Sequence, residues 1–420
     1  KNILNSNNPK LITGHRDNLI KLSNELIEHN YKKKLTFVDL SGNIIQKINQ
    51  NVGIEINDDE DLTDICYVLY TSGTTGLPKG VMISNQNLYS FLIRIKTIFN
   101  HVEGYRFSQL YDQSFDLSIF DLFLAFLTKS TLFIPTKSDL ILPIDYIQKN
   151  KLNFIGCTPS LISLFDNYGL IKNNLFPNIK NTLVCGEVLD TNIARKWLDA
   201  APNSDFYNTY GPTEATIFVS IYKLERNLKY EENLSIPIGK SMEGLEFVLI
   251  NENNDMITAT NNSGHLVISG DQLSNGYKGD REKTILKFRH FPWDNNTNKW
   301  YLTGDNVRRD QNGNYIFLGR IDNQVKIRGH RIELEEIELV LKKYCFINDA
   351  IVVPYKQKGI TVSTICFSTQ EIDLKLIKEI NKNAIKYIDK IFIPNKYKRL
   401  EAMPKTASGK IDRNKIKEFV

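Results

Sequence analysis

Short runs of β-branched, aromatic and other apolar residues alternate, over the first half of the chain, with segments whose apolar positions recur every three to four residues. Cys66–Tyr70, Phe154–Cys157 and Thr182–Cys185 are of the first kind, and their brevity predicts strands. Asn87–Phe99 and Asn192–Ala200 carry the longer period and predict helices. This alternation predicts α/β layers. From about residue 236 to 318 the pattern shifts to closely spaced strand-like runs broken by Gly and Asn turns, as in Gly244–Asn251 and Gly264–Gly270. A β-rich subdomain is expected there. A second boundary is expected at Gly319–Asp322, dividing a large domain over 1–321 from a small α/β segment over 322–420.

At 420 residues the chain is longer than one hydrophobic core usually supports, in keeping with several folding units. A hydrophobic share of 41% with 24% charged residues supplies a core and excludes a largely disordered chain. Lys+Arg exceed Asp+Glu by 53 to 48, giving +5, and the lysines are scattered among Asn and Ile rather than gathered into a stripe. No nucleic acid partner is expected from that distribution, although it suits an acidic protein. Five cysteines form no CxxC pair, and their odd number argues against a disulfide framework and for a reducing cytoplasm. The apolar stretch Ile119–Pro135 is interrupted by Asp121 and Lys129 and is too short to span a bilayer, so no membrane insertion is expected. The first ten residues lack the apolar core of a signal peptide.

Candidate chemistry begins at Tyr70–Val81, YTSGTTGLPKGV, a glycine-rich loop that follows an expected strand. Gly73, Gly76 and Gly80 let backbone N–H groups converge, Thr71, Ser72, Thr74 and Thr75 add hydroxyl donors, and Lys79 adds a positive charge. Phosphate is the natural ligand of such a loop. No Gly-Lys-Ser/Thr closes it, so it is not the loop of the P-loop nucleoside triphosphatases.

This loop resembles the signature loop of the adenylate-forming superfamily, which comprises acyl-CoA ligases, luciferases and peptide-synthetase adenylation domains. Five further segments resemble its motifs in the same order: Asn208–Glu214, Tyr301–Asp305, Gly319–Asp322, Lys326–Glu333 and Pro404–Lys410. The resemblance implies an α/β fold with a large multi-subdomain N-terminal domain, α/β layers plus a distorted β-barrel-like subdomain, and a small mobile C-terminal α+β domain. It implies ATP and Mg²⁺ as cofactors. Lys410 would bridge the substrate carboxylate and the α-phosphate, Glu214 would hold Mg²⁺, and Thr213 would touch the α-phosphate. Tyr210 offers a face for adenine, Asp305 accepts from the ribose hydroxyls, and Arg320 adds a phosphate or ribose contact. Gly186, Glu187, Asn208, Thr209 and Gly211 complete the implied nucleotide site, and Asp322 is the implied hinge. In one orientation of the small domain Lys410 faces the α-phosphate; in the other the segment around Gly329 faces the site and lines a channel for a pantetheine thiol. The glycine-rich loop stands earlier in this chain than in most members, so an additional first segment of the large domain is expected to be missing.

Phe115–Ser118 resembles the segment in which amino-acid-activating members place an aspartate against the substrate ammonium, which gives Asp116 that part. A buried ammonium needs a partnered anion, whereas a fatty acid would leave the carboxylate unpaired. The competing reading is that Asp116 caps the helix that follows it. The rest of the pocket carries over as Leu117, Phe120, Gly156, Leu183, Cys185, Thr209, Ile217 and Phe218, which is apolar and favours a small side chain. Cys185–Leu189, Asn208–Thr216 and Glu333–Glu338 look most like D-alanine:carrier-protein ligases and related stand-alone amino acid adenylation enzymes. D-alanine and a phosphopantetheinylated carrier protein are the implied partners. An adenylation domain of a peptide synthetase for another small amino acid, a luciferase-like monooxygenase and an inactive binding homologue are the competing readings.

Overall fold

The computed structural model describes residues 11–14, 16–28, 35–39, 44–48, 64–71, 78–226, 235–345, 347, 349–357, 360–405 and 411–420. The chain forms two compact units, Lys1–Leu62 and Thr63–Val420. In the first, strands Leu11–Gly14 and Leu35–Asp39 pair in parallel, Ile44–Ile48 adds an antiparallel edge, and helix Arg16–Glu28 follows the first strand. Leu19, Leu22 and Leu26 fall at helical spacing and meet Phe37 in the core of this unit.

The second unit is organised around a seven-stranded sheet. Its strands run in the order Lys240–Ser241, Ser220–Lys223, Asp205–Tyr210, Asn181–Val184, Phe154–Cys157, Arg106–Ser108 and Thr131–Phe133. The strands from Asp205–Tyr210 to Thr131–Phe133 are mutually parallel. Phe154–Cys157 and Asn181–Val184 are buried at every position, as strands covered on both faces must be. Their side chains alternate between two cores. Phe154 and Leu183 join Phe91, Phe99, Phe120 and Phe218 on one side, while Ile155, Cys157 and Val184 join Ile193, Trp197 and Phe206 on the other. The expected strands and helices are present with small changes of boundary: Ile65–Thr71, Asn181–Val184, Asn85–Ile98 and Thr191–Ala200. Ser84 begins Asn85–Ile98 with a capping box, its hydroxyl accepting from Asn87 N–H while the Asn87 side chain accepts from Ser84 N–H.

Between residues 246 and 320 the chain forms an antiparallel sheet whose longest members are Ser263–Ser269, Trp300–Arg309 and Tyr315–Arg320. Strands Gln324–Ile327 and His330–Glu333 then form a hairpin through Arg328 and Gly329, both at positive φ (51° and 83°). Two left-handed residues match the twist of the flanking strands, the geometry of a type I′ turn. Helix Leu334–Tyr344 begins with Glu335 and Glu336 and ends with Lys342 and Lys343, charges that suit the helix dipole. It packs through Ile337 and Leu341 on Val352, Cys366 and Ile380, a core separate from those above. Arg413 holds the final helix, Arg413–Lys417, through a two-pronged bond to the buried Glu338 (2.6 and 2.8 Å).

All five cysteines are free thiols, with Cys66 exposed and the other four buried. Among the described residues, no helix is long and apolar enough to cross a membrane.

Candidate active site

Strand Asp205–Tyr210 delivers its C-terminal end into a short 3-10 turn, Thr213–Ala215, which carries Glu214 at zero exposure. An ionised carboxylate at such depth needs cations. Arg331 of the hairpin approaches Glu214 Oε2 at 2.9 Å, Lys79 stands 3.4 Å from Oε1, and the Tyr277 hydroxyl donates to Oε1 at 2.8 Å. Burial alone would raise this carboxyl, but Arg331 and Lys79 outweigh it and hold the group well below the usual carboxylate range. Lys79 itself is brought down to about 8, first by burial and then by Arg331. It remains charged at neutral pH. Thr71 pairs opposite Lys79 across the hairpin Ile65–Thr71 and Lys79–Ser84, so the two ends of the glycine-rich segment are held together.

Beside this centre lies a second polar cluster. Asp305 receives the Tyr210 hydroxyl on one carboxylate oxygen and the Arg320 guanidinium on the other. Arg320 also donates to both oxygens of Asp322, at 2.6 Å each. Burial would lower the Arg320 pKa, yet the Asp305 charge raises it; burial would raise Asp322, yet Arg320 lowers it. The implied ribose carboxylate and the implied hinge residue thus share one guanidinium. Each Asp305 oxygen accepts one of these bonds, so each keeps a further lone pair for another donor.

The hairpin tip is docked on the large α/β layers. Glu187, half-buried and with its carboxyl raised by the loss of solvent around it, accepts Gly329 N–H at 2.6 Å and Ser160 N–H at 2.9 Å. A side chain at Gly329 would crowd Thr158 Cγ2 at 3.0 Å, and positive φ adds to the requirement for glycine. His330 packs at 4.6 Å between ring centroids on Phe115, the residue before Asp116.

Asp116 stands at the start of helix Leu117–Leu127 but makes no capping hydrogen bond. Its carboxyl is buried, and Oδ2 has no partner among the described residues. Burial pushes its pKa up to about 6, opposed by the Thr213 hydroxyl, the nearby Lys326 and the Ile217 N–H. Ile217 and Thr216 both lie at positive φ (70° and 59°), which is costly for β-branched residues. Gln272 clamps this turn, with Nε2 placed 3.3, 3.3 and 3.1 Å from the carbonyls of Ala215, Thr216 and Phe218, while the Thr216 hydroxyl donates to Gln272 O. The strained turn therefore supports the carboxyl of Asp116. Leu117, Phe120, Leu183, Cys185, Thr209, Ile217 and Phe218 are all nearly or wholly buried. Phe120 and Phe218 lie edge to face at 5.4 Å, and both pack on Phe91.

Asp116, Thr213, Glu214, Lys79, Glu187 and Gly329 are thus brought together, with Tyr210, Asp305, Arg320 and Asp322 alongside. Other candidates are spent on the backbone: Asn208 donates to the carbonyls of Ile236 and Pro237, and Thr209 to that of Val184. Gly186 takes positive φ (93°) before Glu187, and Gly211 abuts the Phe218 backbone. Ser72, Gly73, Thr74, Thr75, Gly76 and Lys410 lie outside the described residues. Sequence reasoning missed Arg331, Tyr277 and Gln272 as members of the site. Arg331 stood inside a quoted motif; nothing local marked Tyr277 or Gln272. Among the described residues, no three His, Cys, Asp or Glu side chains converge as a metal cage.

Residues 3–278 match the sequence model of the family described as AMP-binding enzyme. The D-alanine–D-alanyl carrier protein ligase of Bacillus velezensis is 32% identical over 400 residues, spanning 91% of this chain and 78% of that protein. Gramicidin S synthase 1 of Brevibacillus brevis is 32% identical over 361 residues, 85% of this chain but 31% of that protein. The fold is similar to that of the Vibrio cholerae adenylation domain AlmE in complex with glycyl-adenosine-5'-phosphate, with a TM-score of 0.82 and 24% identity over 99% of this chain and 81% of that one.

Proposed function

Because this chain belongs to the AMP-binding enzyme family, we propose that it activates a small amino acid, D-alanine by preference, as aminoacyl-AMP and passes it to the phosphopantetheine thiol of a carrier protein. In the first step a carboxylate oxygen attacks the α-phosphorus of ATP, the α–β phosphoanhydride bond breaks, and pyrophosphate leaves. In the second the thiol sulfur attacks the acyl carbon, and AMP leaves with the electrons of the acyl–phosphate bond. The observation that carries this reading is the buried Asp116 carboxyl, its Oδ2 without a partner among the described residues, joined through Thr213 to the cationic surroundings of Glu214. Asp116 suits an ammonium; Lys79 and Arg331 suit the phosphates and the charge that grows on them.

Asp116 orients the amino acid and Lys79 with Thr71 faces the phosphates. Lys410, from its motif, is assigned to the developing charge between carboxylate and α-phosphate. Mg²⁺ suits the hard oxygens of Glu214, but both are engaged by Arg331, Lys79 and Tyr277. Glu214 would hold the ion, with phosphate oxygens, once Arg331 has withdrawn, and bound Mg²⁺ would neutralise the phosphates. The docked hairpin matches the orientation assigned to thiol transfer, with residues 322–420 turning about Asp322 between steps. Mass spectrometry of a phosphopantetheinylated carrier incubated with enzyme, ATP, Mg²⁺ and D-alanine tests this: a mass gain of one alanyl group is expected. No acyl gain with any small amino acid overturns the transfer step. Similarity to Gramicidin S synthase 1 supports a second reading, the same chemistry within a peptide synthetase.

A further inference from the structure

Asp121 is wholly buried on helix Leu117–Leu127, and neither carboxyl oxygen has a hydrogen-bond partner among the described residues. A carboxyl in that setting is uncommon and calls for a reason. Its Oδ1 lies 2.5 Å from the point where a β-carbon on Gly156 would stand, and Tyr111 Cε2 lies 2.8 Å from the same point. The space a side chain at position 156 would take is therefore filled by Asp121, from helix Leu117–Leu127, and by Tyr111. Tyr111 is fixed there by its hydroxyl, whose one proton is shared between the carbonyls of Cys157 (2.9 Å) and Leu183 (3.2 Å).

Gly156 and Leu183, which Asp121 and Tyr111 meet, stand with Asp116 among the positions assigned to the amino acid pocket. Resting on the reading above, we propose that Tyr111 and Asp121, meeting over Gly156, form the end wall of the amino acid pocket and limit its substrate to the smallest side chains. A larger side chain would have to displace a ring anchored through its hydroxyl and would press hydrocarbon on an unsatisfied carboxyl. Burial pushes the pKa of that carboxyl well above the usual carboxylate range.

The test compares amino-acid-dependent pyrophosphate exchange by the full chain with glycine, D-alanine, D-valine and D-leucine. Asp121→Ala opens the wall and should raise kcat/KM for valine relative to alanine by about tenfold or more, a methylene-scale discrimination. Asp121→Asn, of nearly equal volume, should keep the wild-type ranking. Gly156→Ala should lower both exchange and Tm, and Asp121→Ala in the same chain should recover both, because the removed carboxyl vacates the space of the added methyl. An active Asp121→Ala enzyme with unchanged ranking, or no recovery in the double variant, overturns the wall. Absence of amino-acid-dependent exchange in the wild type overturns instead the adenylation reading, while the Tm comparison still tests the contact.

Discussion

Asp116 and Glu214 are both buried carboxylates, and their neighbours move them in opposite directions. Among the described residues no cation pairs with Asp116, which burial raises to about 6, whereas Arg331 and Lys79 keep Glu214 well below the usual range. Only ionised Asp116 can pair an ammonium, so KM for the amino acid should rise as pH falls below 6, with KM for ATP changing less. Initial rates between pH 5 and 8 measure this; parallel changes in both constants would separate Asp116 from the substrate ammonium. The effect on stability has the opposite direction. The unfolded pKa is about 3.9, so the folded state takes up the proton more readily. That contribution to stability is complete below the unfolded pKa and is lost as pH rises through 6. Asp116→Asn should cost about 2 to 3 kcal/mol in kcat/KM for the amino acid, the worth of a hydrogen bond to a charged group.

Two elements position these residues, the strained turn after Glu214 and the Arg328–Gly329 hairpin. Gln272 holds the carbonyls around the turn, and Gln272→Ala should destabilise the protein by about 1 to 3 kcal/mol by leaving buried acceptors unpaired. Chemical denaturation measures that loss, and KM for the amino acid should rise with it because Ile217 N–H faces Asp116. The hairpin is held through Glu187 and Gly329. Glu187→Ala should slow acyl transfer from preformed adenylate by about tenfold, equal to 1.4 kcal/mol, and affect adenylate formation less. Equal losses in the two half-reactions would remove Glu187 from hairpin docking.

Across the whole molecule, what could be read in the sequence was local. Phe154–Cys157 and Thr182–Cys185 declared themselves as strands because layers covering both faces demand continuous apolar runs. Asp116, Glu214 and Asp305 could be named because each sits in a short ordered motif. Tyr277 on Glu214, Gln272 on the 215–218 turn and Tyr111 over Gly156 join residues 63, 54 and 45 or more positions apart, and no spacing along the chain encodes such meetings. The pocket looked wholly apolar for the same reason: Asp121 reads as one polar break in an apolar helix until the sheet folds beneath it. Lys410, outside the described residues, is assigned from its motif alone. Lys410→Ala should abolish adenylate formation while sparing transfer from preformed adenylate.

The most direct measurement is exchange of labelled pyrophosphate into ATP, with Mg²⁺, in the presence of D-alanine, L-alanine, glycine, serine or a medium-chain fatty acid. Amino acid adenylation predicts strong exchange with a small amino acid, greatest with D-alanine, none with the fatty acid, and none in the Lys410→Ala protein. Exchange driven by the fatty acid, or no exchange with any acid in a protein shown to be folded, would contradict it.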